Sequence, residues 1–323
     1  MRSPQSLRGE VAFGVYSVTG MYGEIPRGEA ERLVLEAYES GVRVFDTADI
    51  YGRGLGEELL KPLSREPVLI ATKVGYRLDT PRPVGDYSEE YLVKAARASL
   101  RRLGARRVWL LQVHNPPLEV LKKREVYRAL RRIREEGLAE HTGVALGPEV
   151  DVLGHAEEAL SHDEVEALQF VYNILEQEPG ATIVRMARER GVATIARVPH
   201  AGGVLDESLK PGMEAELKDH RSLRRAGWYR WAFKVYYERV KPLLDPHPGT
   251  PGQKALKFIE ESIKPNIIVV IARSPEKLRE YMGYKDLPPL GAGIVEELRK
   301  IYFEEIAQSP EAPRASLKAL GIL

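Results

Sequence analysis

Short, apolar, β-branched runs alternate with amphipathic helical patterns eight times along the chain. Val11–Val15, Val42–Asp46, Val68–Thr72, Val108–Val113, Gly143–Leu146, Ala167–Tyr172, Val192–Val198 and Ile267–Ile271 predict strands. They are apolar almost throughout, as parallel strands covered on both faces must be. Between them, Ala30, Leu33, Val34, Ala37 and Tyr38 share one helix face, which Gly41 closes as a left-handed cap. Leu92, Ala95, Ala96, Ser99 and Leu103 repeat the pattern behind Ser88, an N-cap followed by Glu89 and Glu90. Val126, Ala129, Leu130 and Ile133 end near Gly137, and Ile183, Met186 and Ala187 end at Gly191. Thr250-Pro251-Gly252-Gln253 is a capping box with proline at the first helical position, and Ser274-Pro275 predicts another helix start. Eight strand–helix units fit a closed barrel or a doubly wound sheet, and right-handed crossovers serve both. Two segments fall outside the repeat: a long insertion after the seventh strand (203–249) and a C-terminal tail (284–323), helical around Ile294–Phe303. Insertions after barrel strands shape the substrate mouth.

Composition narrows the class. The 323 residues are 43% hydrophobic, enough for a large core, and no low-complexity linker divides them, so one domain over 1–323 is expected. No run of eighteen apolar residues exists, and Met1–Glu10 lacks an apolar signal core, which points to a cytoplasmic protein. With no cysteine there is no disulfide, thiolate metal site or thiol nucleophile. A net charge of +1 gives no electrostatic reason for a nucleic-acid or membrane partner, and a monomer acting on a small molecule is expected.

The chemistry sits where the apolar runs stop. Strand two ends in Asp46-Thr47-Ala48-Asp49-Ile50-Tyr51, strand three in Thr72-Lys73 and strand four in Gln112-Val113-His114, while strand six carries Gln169. In a barrel these ends share one rim, so Asp46, Tyr51, Lys73 and His114 would converge. Singly, each has an ordinary explanation as a capping carboxylate, a solvated amine, a packed imidazole or a rim aromatic. Together they make a proton-transfer set. A free phenol titrates near about 10, but an ammonium at ~4 Å favours tyrosinate by roughly 4 kcal/mol at an effective dielectric of about 20, enough to bring it toward ~7. Asp46 would hold Lys73 charged, His114 would orient a substrate oxygen, and Tyr51 would serve as acid or base in a hydride transfer.

Phe45-Asp46-Thr47-Ala48-x-x-Tyr51-Gly52, Thr72-Lys73 and Leu111-Gln112-Val113-His114 resemble the signature of the aldo-keto reductase superfamily. Gly54-x-Gly56-Glu57-Glu58, Gln169-x-x-Tyr172-Asn173 and Thr250-x-x-Gln253-x-Ala255-Leu256 extend the resemblance over nearly the whole chain. It implies a (β/α)8 TIM barrel binding NADPH, with Asp46, Tyr51, Lys73 and His114 as catalytic tetrad and Gln169 on the nicotinamide amide. The chain departs from that pattern in places. Ala145-Leu146 stands where a Ser-Asn pair commonly contacts the carboxamide. Arg197 replaces an aromatic that stacks on the nicotinamide, and its guanidinium plane could stack in turn. The segment after strand eight shortens to Ile271-Ala272-Arg273-Ser274, followed by Lys277, Arg279 and Tyr281, the last where an asparagine is usual. Arg273 and Lys277 beside a helix start favour NADP over NAD, since cations and backbone amides together bind a 2′-phosphate. The cofactor-contact set is thus Asp46, Gln169, Arg197, Arg273, Lys277 and Tyr281.

Competing motifs fail on spacing. Gly52-x-Gly54-x-Gly56 is followed by Glu57, not the spacing of a dinucleotide fingerprint, and reads as a tight turn into a helix. The histidines form neither H-x-H nor H-E-x-x-H, so no metal is expected. The Arg- and aromatic-rich stretch Arg221–Lys241 could bind nucleic acid by stacking, but balanced charge and a long amphipathic helix explain it as well. The expected activity is NADP-dependent interconversion of aldehydes or ketones with alcohols. The alternatives are a sugar 1-dehydrogenase and a nucleotide-binding redox sensor with slow turnover.

Overall fold

All eight apolar runs become strands of one closed barrel in the computed structural model, which describes residues 2–147, 152–224 and 226–308. The strands are β1 (Glu10–Gly14), β2 (Val44–Asp46), β3 (Leu69–Val74), β4 (Val108–His114), β5 (Ala139–Ala145), β6 (Ala167–Val171), β7 (Ala193–Arg197) and β8 (Ile267–Val270). Each pairs in parallel with its sequence neighbour, and β8 closes on β1 through Val11 opposite Ile268. That closure decides against the doubly wound sheet. The outer helices are α1 (Arg27–Glu39), α2 (Leu55–Leu59), α3 (Glu89–Leu103), α4 (Arg124–Glu135), α5 (Leu153–Leu160), α6 (Gly180–Glu189), α7 (Pro251–Ile263) and α8 (Pro275–Met282).

The caps follow the sequence. Ser88 and Ser274 accept from the backbone N–H three residues on, and Thr250 and Gln253 complete a reciprocal box. Gly41, Gly137 and Gly191 all take positive φ just beyond their helices. Most strand boundaries shift by one or two residues, and one shifts further: β5 begins at Ala139, well before the expected Gly143. Its first turn of sequence is polar because it lies at the open base of the barrel, where Glu140 meets Arg107 and His141 meets Glu166. Gly143 is required there by packing, since a Cβ would stand 2.3 Å from the Ala167 carbonyl of β6.

Strand alternation converts this frame into a site. Side chains two apart point the same way, and the inward positions change character as they climb. Val44 is followed by Asp46, Ala71 by Lys73, Leu110 by Gln112 and His114, Ala167 by Gln169, and Ile195 by Arg197. Ala12, Val44, Ala71, Leu110, Ala167 and Ile195 pack in the lower interior, plugged from below by Leu7 and Trp109. The polar positions therefore stand on a dry floor at the carboxyl end.

The insertion contributes short turns at Met213–Glu216 and His220–Leu223, then a helical run, Ala226–Val235, Tyr236–Val240 and Lys241–Leu244. In the Arg221–Lys241 stretch a 3-10 turn, His220–Leu223, precedes the helical run described from Ala226, whose middle widens to π geometry just before Pro242, which has no N–H to continue an α ladder. The tail forms a helix at Ala292–Gln308; Glu261 accepts from Leu290 N and Gly291 N, and Gln177 donates to the Leu298 carbonyl. Residues 309–323 of the expected tail lie outside the described residues. No described helix is long and apolar enough to cross a membrane.

Candidate active site

The rim brings the four predicted residues together. Lys73 Nζ donates to Asp46 Oδ1 at 2.7 Å, to the Thr47 carbonyl at 2.8 Å and to Tyr51 Oη at 3.4 Å. Asp46 accepts from Gln169 Nε2 with its other oxygen at 2.9 Å, so both carboxylate oxygens are occupied from opposite sides of the barrel. The His114 ring stands edge-on to Tyr51 with centroids 5.8 Å apart. Tyr51 follows β2 in a turn where Gly52, Arg53 and Gly54 all take positive φ, which bends the chain back into α2 and presents the phenol to the interior. Gly52 and Gly54 therefore serve the turn, while Gly56 lies inside α2, where a Cβ would stand 2.7 Å from Thr47 Oγ1.

The protonation states differ from the expectation in one respect. Tyr51 is not brought toward neutrality; burial pushes its phenol well above the usual range, and the Asp46 and Asp49 carboxylates push the same way. The reason is that Lys73 is already committed to Asp46, while burial pulls the ammonium down against that carboxylate's hold. His114 is held well below the usual imidazole range by burial, then by Lys73 and Arg197, and is neutral at physiological pH. A protonated phenol and a neutral imidazole are the states that carbonyl reduction needs at the outset.

The remaining expected contacts fall into two groups. Arg197 and Gln169 belong to the rim. Arg197 donates to the Leu146 carbonyl at 2.9 Å, a main-chain contact independent of the side chain there, and the Ala145 and Leu146 side chains are buried. Arg273, Lys277 and Tyr281 lie around the start of α8. Arg273 is exposed and donates to the Tyr22 and Glu24 carbonyls of the loop after β1. Lys277 pairs with Glu280 at 3.0 Å, and Tyr281 is buried, stacked on His200 at 4.2 Å with its hydroxyl given to Asp206.

Several residues went unread in the sequence. Asp49 is buried, and its carboxyl is held well above the usual range by burial and by Glu57. Glu57 is itself fully buried and accepts from Thr72 Oγ1 and Arg102 Nε, each at 2.6 Å, tying β3, α2 and α3 together. Tyr16 meets Tyr51 with centroids 4.8 Å apart, and the strand-end rule applied to β1 leads directly to it. His220 of the insertion packs edge-on to Tyr16 and Tyr22 and lies 2.9 Å from the Met21 carbonyl. Trp228, Tyr229 and Trp231 are buried, so this aromatic stretch packs internally. The insertion is also wired to the strands: Arg224 donates to Glu176 at 2.8 Å, Glu176 accepts from Asn173, and Asn173 Nδ2 donates to the Val198 carbonyl at 3.0 Å. Among the described residues no group of three or more histidines and carboxylates could hold a metal ion.

Orphaned polar atoms test the fit of a nicotinamide. Gln169 Oε1 and Arg197 Nε are buried with no partner, an acceptor and a donor left open beside Tyr51. A carboxamide carries the complementary groups.

Comparison with known proteins bears on the family and the fold. The aldo/keto reductase family matches residues 10–302. The chain is 27% identical over 270 residues to a probable aldo-keto reductase 1 of Glycine max, covering 77% of this chain and 73% of the relative. It is 25% identical over 261 residues to the uncharacterized oxidoreductase YqkF of Bacillus subtilis (strain 168), covering 79% and 81%. Its fold is similar to aldo-keto reductase AKR11C1 from Bacillus halodurans (TM-score 0.73, 23% identity, 90% and 91% covered). It is likewise similar to the glycerol dehydrogenase AKR11B4 from Gluconobacter oxydans (TM-score 0.74, 18% identity, 93% of each chain). The chain belongs to the aldo/keto reductase family, oxidoreductases of small carbonyl compounds that generally use NAD(P)H.

Proposed function

We propose that this protein is an NADP-dependent reductase of aldehydes or ketones, reversible toward the alcohol, with Tyr51 as the proton donor. The observation that carries this reading is the Asp46–Lys73–Tyr51 cluster beside neutral His114 on one dry rim. A reduced nicotinamide, when bound, supplies the hydride. Gln169 and Arg197 would hold its carboxamide end, and Arg273 with the amides at the start of α8 would meet the 2′-phosphate. His114 orients the carbonyl oxygen, and Tyr51 Oη gives its proton to that oxygen as charge develops. Lys73 fixes the phenol by hydrogen bond, while Asp46 keeps the lysine in place. Tyr16, Tyr22 and His220 wall the mouth with aromatic faces.

Steady-state turnover across an aldehyde and sugar panel tests the activity and separates it from slow redox sensing. Tyr51→Phe should lower carbonyl reduction by about 1,000-fold or more, while NADPH affinity stays within about threefold. Retained turnover removes Tyr51 as the acid. Arg273→Ala should weaken NADPH by about tenfold and leave NADH nearly unchanged; equal losses refute the phosphate contact.

A further inference from the structure

Between β3 and α3 the chain makes a small hairpin, Tyr76–Arg77 paired antiparallel with Val84–Gly85. Its base is built tightly against the rim. The Tyr87 ring fits between Gly75 and Gly85, at each of which a Cβ would stand 2.7 Å from that ring. Tyr87 Oη is shared between the His114 and Asn115 carbonyls, 3.0 Å from each, and Tyr91 Oη donates to the Tyr76 carbonyl at 2.6 Å. The Tyr76 ring is thereby set edge-on to His114 with centroids 5.4 Å apart, as His114 in turn is set to Tyr51.

The hairpin is held from a second side. Arg53, in the turn that follows Tyr51, donates from its guanidinium to the Leu78 carbonyl and, at 3.1 Å, to the Thr80 carbonyl. It does so from φ 55 and ψ 46, a left-handed conformation in which glycine or asparagine sits at lower cost. The turn itself has no need of that side chain. Tyr51 N reaches the Ala48 carbonyl at 3.2 Å, Arg53 N reaches the Ile50 carbonyl at 3.0 Å, and Lys73 Nζ holds Tyr51 Oη. What arginine adds is reach, with a planar fork whose separate N–H groups engage two carbonyls at once.

We propose that Arg53 is a positioning residue: it ties the hairpin to the turn that carries Tyr51 and so holds Tyr76 as one wall of the substrate site. The inference rests on the reductase reading above. A carbonyl oxygen placed between Tyr51 and His114 leaves the remainder of the substrate to run past Tyr76. A short aliphatic aldehyde offers that ring little surface, whereas an aryl aldehyde packs along it. Arg53 thus favours aryl over short aliphatic aldehydes without touching either.

The test uses the full chain with NADPH and two aldehydes, 4-nitrobenzaldehyde and propanal. Arg53→Gly removes the guanidinium and the backbone cost together, so its thermal midpoint should stay within about 3 °C of the unaltered protein. KM for 4-nitrobenzaldehyde should rise about tenfold while kcat stays within about twofold, and both constants for propanal should move by less than about twofold. Hydrogen exchange in the hairpin should quicken about tenfold, with exchange in β2 unchanged. Arg53→Asn, which tolerates the left-handed region but is too short for the two carbonyls, should give the same pattern. It serves alone if Arg53→Gly does not fold. Equal losses for the two aldehydes, an unmoved KM for 4-nitrobenzaldehyde, or unchanged exchange in the hairpin overturns the proposal. Quickened exchange in β2 does so too, since it marks a side chain that merely stabilised the turn. Failure of the reductase reading is separate: the unaltered protein would then turn over neither aldehyde.

Discussion

The two ends of the barrel carry similar residues and treat them differently. At the base, Glu166 meets His141 at 2.6 Å and Arg134 at 2.9 Å, Glu140 meets Arg107 at 3.0 Å, Trp109 Nε1 donates to the Arg2 carbonyl at 2.7 Å, and Asn266 donates to the Leu7 carbonyl at 2.9 Å. At the rim, His114 Nδ1, Gln169 Oε1, Arg197 Nε, Asp49 Oδ1 and both amide atoms of Gln112 are buried without partners. A folded chain ordinarily satisfies such atoms, because leaving one open costs about 1–3 kcal/mol. Open valences cluster at the rim, whereas at the base the carboxylate oxygens without a hydrogen bond, Glu140 Oε1 and Glu166 Oε1, are met by arginines as ion pairs; the base holds the barrel together, and the rim is left incomplete for something else to complete.

That contrast can be broken from either end. Lys73→Met should abolish turnover and cost about 3–5 kcal/mol of stability, because it strands the Asp46 carboxylate in a dry interior. Glu166→Gln at the base should cost about 1 kcal/mol, its ions being partly exposed, and leave kcat unchanged. Urea unfolding and steady-state kinetics on the two variants check the pair; a base variant that loses activity would erase the division. A milder effect of opposite sign is expected for Gln112→Leu, which removes two unpaired amide atoms and should raise stability by about 1 kcal/mol in denaturant melts. A loss of stability there would mean that Gln112 is hydrogen-bonded in solution. The smallest effect concerns acid. His114 and His200 are both depressed by burial and stay neutral in the fold, whereas the unfolded chain protonates them near about 6.5. The unfolded state therefore binds more protons as pH falls, and stability should decline below about 6.5. Unfolding free energy against pH should show a shallower decline in His114→Asn, and an unchanged slope would mean that His114 titrates alike in both states.

Much of this contrast was legible in the chain. Parallel strands must be apolar on both faces, so β1 to β8 announced themselves, and Ser88, Thr250 and Ser274 marked their helices because a cap needs only its local neighbours. Asp46, Lys73 and His114 could be placed on one rim because strand ends converge in a barrel. Three features were not legible. The start of β5 is polar at Glu140-His141-Thr142, where the strand leaves the core, so it carries no strand signal. The protonation of Tyr51 depends on how much water its neighbours exclude and on which carboxylate has already claimed Lys73, both properties of the assembled site. Arg273 finds its partners in the loop after β1, 249 and 251 positions away along the chain, and no local pattern encodes that meeting.

The Arg224–Glu176–Asn173–Val198 relay has a consequence for engineering. It clamps the insertion to the exit of β7, the strand that ends in Arg197. Grafting a foreign segment in place of 203–249 would leave Glu176 without its arginine and loosen the amide that pins Val198. A transplant meant to change substrate preference would therefore disturb the chemistry as well, unless the donor segment brought its own cation for Glu176.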